Sequence, residues 1–503
     1  MSPKPKPAAS QDDAPDAESV YDVRLKKLAA LREAGQDPYP ATTARTHTVE
    51  QVREQFESLK KSEQAVTVAG RMMTFRAHGK LSFATVRDAS GEFQVAFQAD
   101  RLGADYEKLD RLDLGDFVEA TGTAFVTKRG EPTLSVTGYR IVAKSLRALP
   151  AKWHGLKDPE ERYRKRYLDM LANPEVRQKL TTRSKLITAI RAQLDATGFL
   201  ELENPVLEIH PSGAAAKPMQ THLDAYDLDL HLRISVGELW QKRSLVGGFE
   251  KVYEIGRAFR NEGVDPSHHP DFTMLEYYWA YADYEDNLKF HEQLIPAVVK
   301  ATVGKLKVEY DGQTIDFAGP YPRLTFREAI KKASGIDIAK YPDRSELAKV
   351  MKAKQYKVNP KGGHGKLLDD LFKESFRKSA VQPVFVTDHP LELSPLAKQN
   401  PDDPSTVQRF QLLVAGVELS NSYSELNDPL DQRQRFEEQV KLQTAGDPEA
   451  MGVDEEFVEA LEYGMPPATG TGIGVDRFAA LLTDSSNIRE VTAYPLMKPK
   501  RNE

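Results

Sequence analysis

Apolar positions along this chain change period twice, and each change predicts a different kind of structure. From Ser19 to Ala34, Val23, Leu28 and Leu31 form a helical stripe that Gly35 would stop, while Arg24, Lys26, Lys27 and Arg32 are left for another face. That face is either solvated or set against phosphates. From Val66 to Val142 the pattern shortens to alternation, and five strands are expected: Val66 to Phe75, Leu81 to Arg87, Phe93 to Phe97, Phe117 to Phe125 and Thr133 to Val142. Turns such as Ala77-His78-Gly79, Ala89-Ser90-Gly91 and Lys128-Arg129-Gly130 separate them, and Leu102 to Leu112 reads as a helix between the third and fourth. Five strands with that interruption predict a small barrel.

Helical spacing returns with Leu186, Ile187, Ile190 and Leu194, ending at Thr197-Gly198; Phe199 to Leu207 then reads as one edge strand carrying Pro205. Val252 to Ile255 and Phe272 to Tyr281 predict two strands joined by a long loop that Gly263, Pro266 and Pro270 punctuate, with the first strand continuing through Arg260 and Glu262. Residues 283–317 read as helix then hairpin, 325–378 as a Lys-rich helical insertion, Val384 to Asp388 as a strand, Phe410 to Glu425 as a hairpin and Phe478 to Leu482 as a helix. The expected class is α+β: a barrel, then a mainly antiparallel sheet flanked by helices. The expected division is a disordered tail at 1–18, a helix plus barrel at 19–147, a linker at 148–160 and a larger domain at 161–503.

Composition narrows the chemistry. Charged residues nearly cancel over 503 residues, leaving −6, so any nucleic-acid site must be local. With no cysteine, disulfides, thiolate iron–sulfur clusters and thiolate zinc sites are excluded. No apolar run approaches a membrane span, and Met1-Ser2-Pro3-Lys4-Pro5-Lys6-Pro7 has no signal-like apolar core, so the cytoplasm is the expected compartment.

Polar residues at strand positions mark the candidate site. Arg260 and Glu262, two apart, and Glu276 and Tyr278, two apart, would place a guanidinium, two carboxylates and a phenol on one sheet face. That is too much charge for a core, and it suits a ligand bearing both signs. Asn421, Tyr423 and Glu425 alternate onto one face of a second hairpin. Pro466-Pro467-Ala468-Thr469-Gly470-Thr471-Gly472-Ile473-Gly474-Val475-Asp476-Arg477 has glycines at alternate positions, with neither the spacing nor the preceding strand of a dinucleotide fingerprint. In the barrel, Arg76, Phe83 and Gln94 offer a cation, a ring and an amide, the groups that read unpaired bases.

Taken in order, these stretches resemble the three motifs of the class II aminoacyl-tRNA synthetases, and the resemblance extends from about residue 20 to the end. It is nearest to subclass IIb and its bacterial-type lysyl-tRNA synthetase family, whose N-terminal module is an OB-fold anticodon-binding barrel. The resemblance implies activation of lysine by ATP and transfer to lysine tRNA, with Mg²⁺ as cofactor and a homodimer built by the first motif. It implies that Arg260, Glu262, His268, Phe272, Glu418 and Arg477 bind ATP, with Arg260 and Arg477 on the phosphates. Lysine would be held by Gly213, Glu238, Glu276, Tyr278, Asn421, Tyr423 and Glu425, the metal by Glu418 with Gln411, and the anticodon by Arg76, Phe83 and Gln94. Two acids at the side-chain end suit an ammonium and disfavour an aspartate- or asparagine-specific relative.

Three departures from the family pattern stand out. Gln411 replaces a second metal-binding glutamate, Val236-Gly237 replaces a single proline before Glu238, and Ser422 replaces a smaller residue beside Asn421. Two other functions fit the same residues: a lysine-activating ligase that modifies a protein, and a non-catalytic tRNA-binding paralogue.

Overall fold

The computed structural model describes residues 19–150, 156–210, 213, 216–360, 362–444 and 452–500. The expected tail at 1–18, Trp153-His154-Gly155 of the linker and Ala214-Ala215, next to Gly213, lie outside the described residues. The chain divides into two compact units, Met1–Gly155 and Leu156–Glu503.

In the first unit, β1 (Val66–His78), β2 (Leu81–Arg87), β3 (Glu92–Gln98), β4 (Phe117–Val126) and β5 (Pro132–Ala143) close into a barrel in the order β1-β2-β3-β5-β4. Closure removes the exposed edges of an open sheet. Inward positions alternate as the pattern predicts, with Val68, Ala84, Val86, Val95, Phe97, Val118 and Val136 almost fully buried. The expected helix at 102–112 is instead three short turns, Ala99–Leu102, Gly103–Asp105 and Glu107–Arg111; Gly103, at φ +55°, breaks the helical path. The first helix, Val20–Glu33, is capped by Ser19 and buries Leu28 and Leu31 as expected. Its Arg24 is not on the solvated face. It is buried, donating to the carbonyls of Ser145 at 3.0 Å, Arg147 at 3.0 Å and Leu114 at 3.1 Å.

The second unit is built on an eight-stranded sheet. Its strands in chain order are β6 (Leu200–Glu201), β10 (Lys251–Phe259), β11 (Asp271–Ala280), β14 (Arg323–Thr325), β15 (Val384–Pro390), β16 (Thr406–Val414), β17 (Val417–Ser424) and β18 (Ala468–Gly474). In space they run β14-β15-β16-β17-β18-β11-β10-β6, antiparallel except for the outermost pair at each end. Beside it, β7 (Leu207–Glu208), β8 (Met219–Leu223) and β9 (Leu228–Leu232) form a small sheet, and β12 (Lys307–Tyr310) and β13 (Gln313–Asp316) a hairpin.

One face of the large sheet packs Leu275, Tyr277, Phe410, Leu412 and Ile473 against Leu186, Ile190 and Leu194 of helix Pro174–Ala196 and Leu288 and Ile295 of helix Tyr284–Val303. A buried polar network sits in that core. Asn287 Nδ2 donates to the hydroxyls of Ser422, Thr469 and Thr471, and its Oδ1 accepts from Tyr277 at 2.5 Å. Ser422 therefore faces the helical core, away from Asn421, and its hydroxyl is satisfied by Asn287 and the Gly470 carbonyl. The insertion at 325–378 is helical as expected, with helices Phe326–Ser334, Arg344–Ala353 and His364–Ser375 around a core they share with Val384 and Val386 of β15 and Leu413 of β16.

Two strand readings and one helix start are corrected. Phe199 to Leu207 is not one strand: only Leu200–Glu201 and Leu207–Glu208 pair, in different sheets. Pro205 lacks a donor, and at Asn204 the backbone N–H and the side-chain amide both donate to Glu254. The first strand of the central pair ends at Phe259, short of Arg260 and Glu262. Arg260 N–H still bonds the Pro270 carbonyl at 2.9 Å, but Asn261 turns to the Lys217 carbonyl, so Glu262 lies exposed on the loop. Finally, the last helix starts at Val475, which places Arg477 in its first turn.

Candidate active site

Strand register lays the site out in rows. Across β11, β18, β17 and β16, Glu276 pairs with Gly472, Gly472 with Asn421 and Asn421 with Gln411; the next row is Tyr278, Gly470, Tyr423 and Arg409. Paired residues share a face, so all the side chains of both rows stand on the face opposite the helical core. Gly470 and Gly472 are the gaps between them. A methyl on Gly470 would collide with Glu425 Oε1 and the Tyr278 ring. If this face takes lysine as the resemblance implies, Gly470→Ala is expected to weaken lysine binding by about 100-fold through overpacking, with ATP binding retained; equilibrium dialysis with each ligand checks this.

The acidic end is fully desolvated. Glu238, Glu276 and Glu425 are 5 %, 4 % and 1 % exposed, and Tyr278 is 3 % exposed. Glu276 Oε2 and Glu425 Oε1 are buried without a hydrogen-bond partner. Burial, with Glu238 close by, pushes the Glu276 carboxyl well above the ordinary carboxylate range, against the pull of Arg260 and Arg233. Burial likewise raises Glu425. Buried, unpartnered carboxylate oxygens are costly, and a cationic ligand relieves them.

Glu238 owes its place to the Val236-Gly237 departure. Gly237 adopts φ +74°, where a side chain would strike Asn204, and helix Glu238–Val246 begins at the next residue. A carboxylate in the first turn is favoured by the helix dipole. Gly213, at φ +86°, packs against Glu238, where a Cβ would meet Glu238 Cβ at 2.8 Å. Tyr423 donates to Glu238 Oε1 at 2.5 Å. Lys242, one turn along the helix, reaches Glu238 at 2.7 Å and Glu425 at 2.6 Å.

The opposite end is cationic. Arg260 donates through Nε to the Ile234 carbonyl at 3.1 Å and lies 5.1 Å from the centre of the Phe272 ring. His268, on the loop, is held by Asp265 at 2.9 Å and approaches Arg477, with His268 Nε2 and Arg477 Nη2 3.4 Å apart. Burial holds the Arg477 guanidinium below its usual range; Glu418 opposes that, while Arg377 and Arg260 add repulsion. Arg260, Arg377 and Arg477 therefore share one electrostatic neighbourhood suited to a polyanion.

Glu418 reaches this face through a β-bulge. Leu412 pairs with Ser420 but Leu413 with Glu418, so the extra residue, Leu419, reverses the alternation and turns Glu418 to the side of Asn421. Its Oε2 accepts from Gln411 Nε2 at 3.1 Å and lies 3.7 Å from Arg377 Nη1. Among the described residues no group of three or more His, Asp or Glu side chains could hold a metal ion. One carboxylate beside a neutral amide nevertheless suits a hard divalent ion whose remaining ligands are phosphate oxygens and water.

Sequence reasoning missed Lys242, Arg377 and Arg409. Arg409 donates through Nε to Asn421 Oδ1 at 2.8 Å, fixing that amide, and also bonds the Leu393 carbonyl and Ser394 Oγ. The signal for Lys242 was present: Glu238 and Lys242 are four apart on a helix, in the favoured acid-first order.

In the barrel, Arg76 pairs with Phe83, and Gln94 with Thr85, two along from Phe83, so the three anticodon candidates share one outward face. Arg76 is exposed, Phe83 and Gln94 half-buried, and Gln94 donates to Thr133 at 2.8 Å.

Comparison with known proteins fits this geometry. Residues 158–498 match the family described as tRNA synthetases class II (D, K and N), and residues 66–142 match the OB-fold nucleic acid binding domain. The chain is 46 % identical to a lysine–tRNA ligase of Pelotomaculum thermopropionicum, over 96 % of each protein. It is 47 % identical to that of Moorella thermoacetica, over 95 % of this chain and 97 % of the relative. This chain belongs to the lysine–tRNA ligase family of class II tRNA synthetases. A third relative, the lysine–tRNA ligase of Clostridium tetani, is 44 % identical over 95 % of this chain. As a member of an ATP-using family, this ligase has a divalent metal as its implied cofactor.

Proposed function

We infer that this chain joins lysine to the 3′ end of lysine tRNA in two steps. The observation that carries the reading is the pair of buried, unpartnered carboxylate oxygens on Glu276 and Glu425, with the Arg260 charge acting both on Glu276 and on Arg477. In the first step a lysine carboxylate oxygen attacks the α-phosphorus of ATP, the bond to the bridging oxygen breaks, and pyrophosphate leaves. No general base is needed, because the nucleophile is already an anion. Arg260 binds the α-phosphate, His268 and Arg477 the outer phosphates, and Phe272 stacks on adenine with Glu262 directed at the nucleotide. Glu418, with Gln411 alongside, would hold Mg²⁺, which would add to the neutralisation of the phosphates. In the second step a ribose hydroxyl of the tRNA attacks the carbonyl of the adenylate and AMP leaves.

Glu276, Tyr278 and Glu425 take the side-chain ammonium, Glu238 with Gly213 the α-ammonium, Asn421 the carboxylate, and Tyr423 orients Glu238. A site with unpaired buried acids rejects apolar amino acids, which leave those acids unsatisfied. The barrel, as the expected domain at 19–147, reads the anticodon through Arg76, Phe83 and Gln94. Exposed Leu200, Leu207 and Ile209, at 49 %, 47 % and 53 %, favour a second copy packed on the stretch that follows helix Pro174–Ala196 as a two-fold dimer. Cytoplasmic residence accords with a cysteine-free chain, in whose described residues no helix is long and apolar enough to cross a membrane.

The barrel separates a tRNA ligase from a ligase acting on protein. Phe83→Ala is expected to lower lysine-tRNA charging efficiency by about tenfold, the loss of one stacked base, with lysine-dependent pyrophosphate exchange unchanged. Equal loss in both assays would instead show a folding defect, and charging of a protein acceptor in preference to tRNA would favour the alternative.

A further inference from the structure

The acid pocket already holds one ammonium group. Lys242 is 1 % exposed, its Nζ lies between Glu238 and Glu425 at 2.7 and 2.6 Å, and the rings of Tyr278, Tyr423 and Phe457 surround it at 5.8, 5.6 and 5.9 Å. These are the two carboxylates assigned above to opposite ends of the substrate. A buried ammonium of this kind persists only when its surroundings supply paired charge, and here two acids from different elements do so.

We propose that Lys242 is a positioning residue of the lysine site: its ammonium bridges Glu238 and Glu425 and fixes both side chains where they meet the two ammonium groups of the substrate. This rests on the lysine-ligase reading above. The charges then match in number. Lysine brings two ammonium groups to Lys242's one, and together they face three carboxylates, Glu238, Glu276 and Glu425. Before lysine arrives the pocket has an excess of acid, and burial is the largest cause holding Glu276 and Glu425 protonated above the ordinary range; Lys242 draws Glu425 back down. The groups facing this cluster are Glu238 and Lys242 on their helix, Glu276 and Tyr278 on β11, Tyr423 and Glu425 at the end of β17, with Arg233 and Arg260 acting on Glu276 and Arg409 on Tyr423.

Lysine affinity should therefore rise with pH as Glu276 and Glu425 lose their protons, and removing the Lys242 charge should delay that rise. The test is calorimetric binding of L-lysine to the full chain across pH 6 to 9, a range of about three units spanning the raised carboxyls. The proteins compared are wild type, Lys242→Met and Lys242→Arg, with binding of a non-hydrolysable ATP analogue and thermal midpoint as fold controls. Lys242→Met, which keeps the stem and drops the charge, is expected to bind lysine at least about tenfold more weakly at pH 7 and to move the midpoint of the pH dependence up by about one unit. Lys242→Arg keeps the charge and is expected to hold the wild-type midpoint.

An unmoved midpoint in Lys242→Met overturns the proposal, as does tighter lysine binding, which would mean that Lys242 stands in the substrate's own place. If Lys242→Met fails the fold controls, Lys242→Arg decides, because a shifted midpoint there also overturns it. Wild-type protein that binds the ATP analogue but no lysine at any pH would instead remove the ligase reading on which the proposal rests.

Discussion

Arg260→Ala is expected to slow lysine-dependent exchange of pyrophosphate into ATP by about 10²- to 10³-fold, the scale of removing one preorganised charge from a developing phosphorane. The fold should survive. Arg260 is only half-buried, its side chain making one bond from Nε to the Ile234 carbonyl and stacking on Phe272, and its backbone N–H bond to Pro270 is indifferent to the side chain. Thermal midpoint and oligomeric state should therefore match wild type. Arg260→Lys restores charge without the planar fork and should recover only part of the rate. Exchange at the wild-type rate in the alanine variant would remove Arg260 from the phosphate site.

Glu425→Gln should affect both binding and stability. It removes one partner of a 2.6 Å buried ion pair and leaves Lys242 with Glu238 alone. Because Lys242 keeps Glu238, the loss should fall short of the about 3–5 kcal/mol of leaving a buried charge unpaired, and the same substitution turns one proposed acceptor of the substrate ammonium into a donor. We expect kcat/KM for lysine to fall by about 10²- to 10³-fold while KM for ATP stays within about twofold. Urea titration should show the stability loss, and an unchanged KM for lysine would place the substrate elsewhere.

The remaining acid gives the unliganded protein a pH signature. The Glu276 carboxyl, normally near 4.5, is pushed up to about 8, chiefly by burial. A carboxyl raised on folding takes up a proton, so its contribution to stability is fully present below the unfolded value and is lost as pH rises through the folded one. The thermal midpoint should decline between about pH 4.5 and 8, and saturating lysine should reduce that decline by supplying cations to the ionised acids.

Much of this was legible in the amino-acid pattern because alternation and turn chemistry are local. The barrel strands fall within a few residues of their expected bounds, and the rows through Glu276 and Asn421 follow from period-two strands once their pairing is known. What escaped depends on contacts distant in sequence or on single backbone irregularities. Simple alternation separates Glu418 from Asn421, and only the bulge at Leu419 reunites them. Arg24 looks like a surface cation until the Ser145 and Arg147 carbonyls at the end of the barrel are placed against it. Lys242 looks like a solvated helix residue until β17 brings Glu425 to its ammonium. Ser422, next to Asn421 in the chain, turns out to serve the Asn287 network on the other side of the sheet, because adjacent strand residues face opposite ways.

The central claim is that buried acids select a diammonium amino acid beside a cationic phosphate site. Amino-acid-dependent ATP–pyrophosphate exchange, run with Mg²⁺ on the wild-type chain against all the standard amino acids in turn, tests it most directly. Exchange that requires lysine, with every apolar and acidic amino acid near background, is the predicted result. Equal exchange with an acidic or apolar amino acid, or none with lysine from a correctly folded protein, would contradict it.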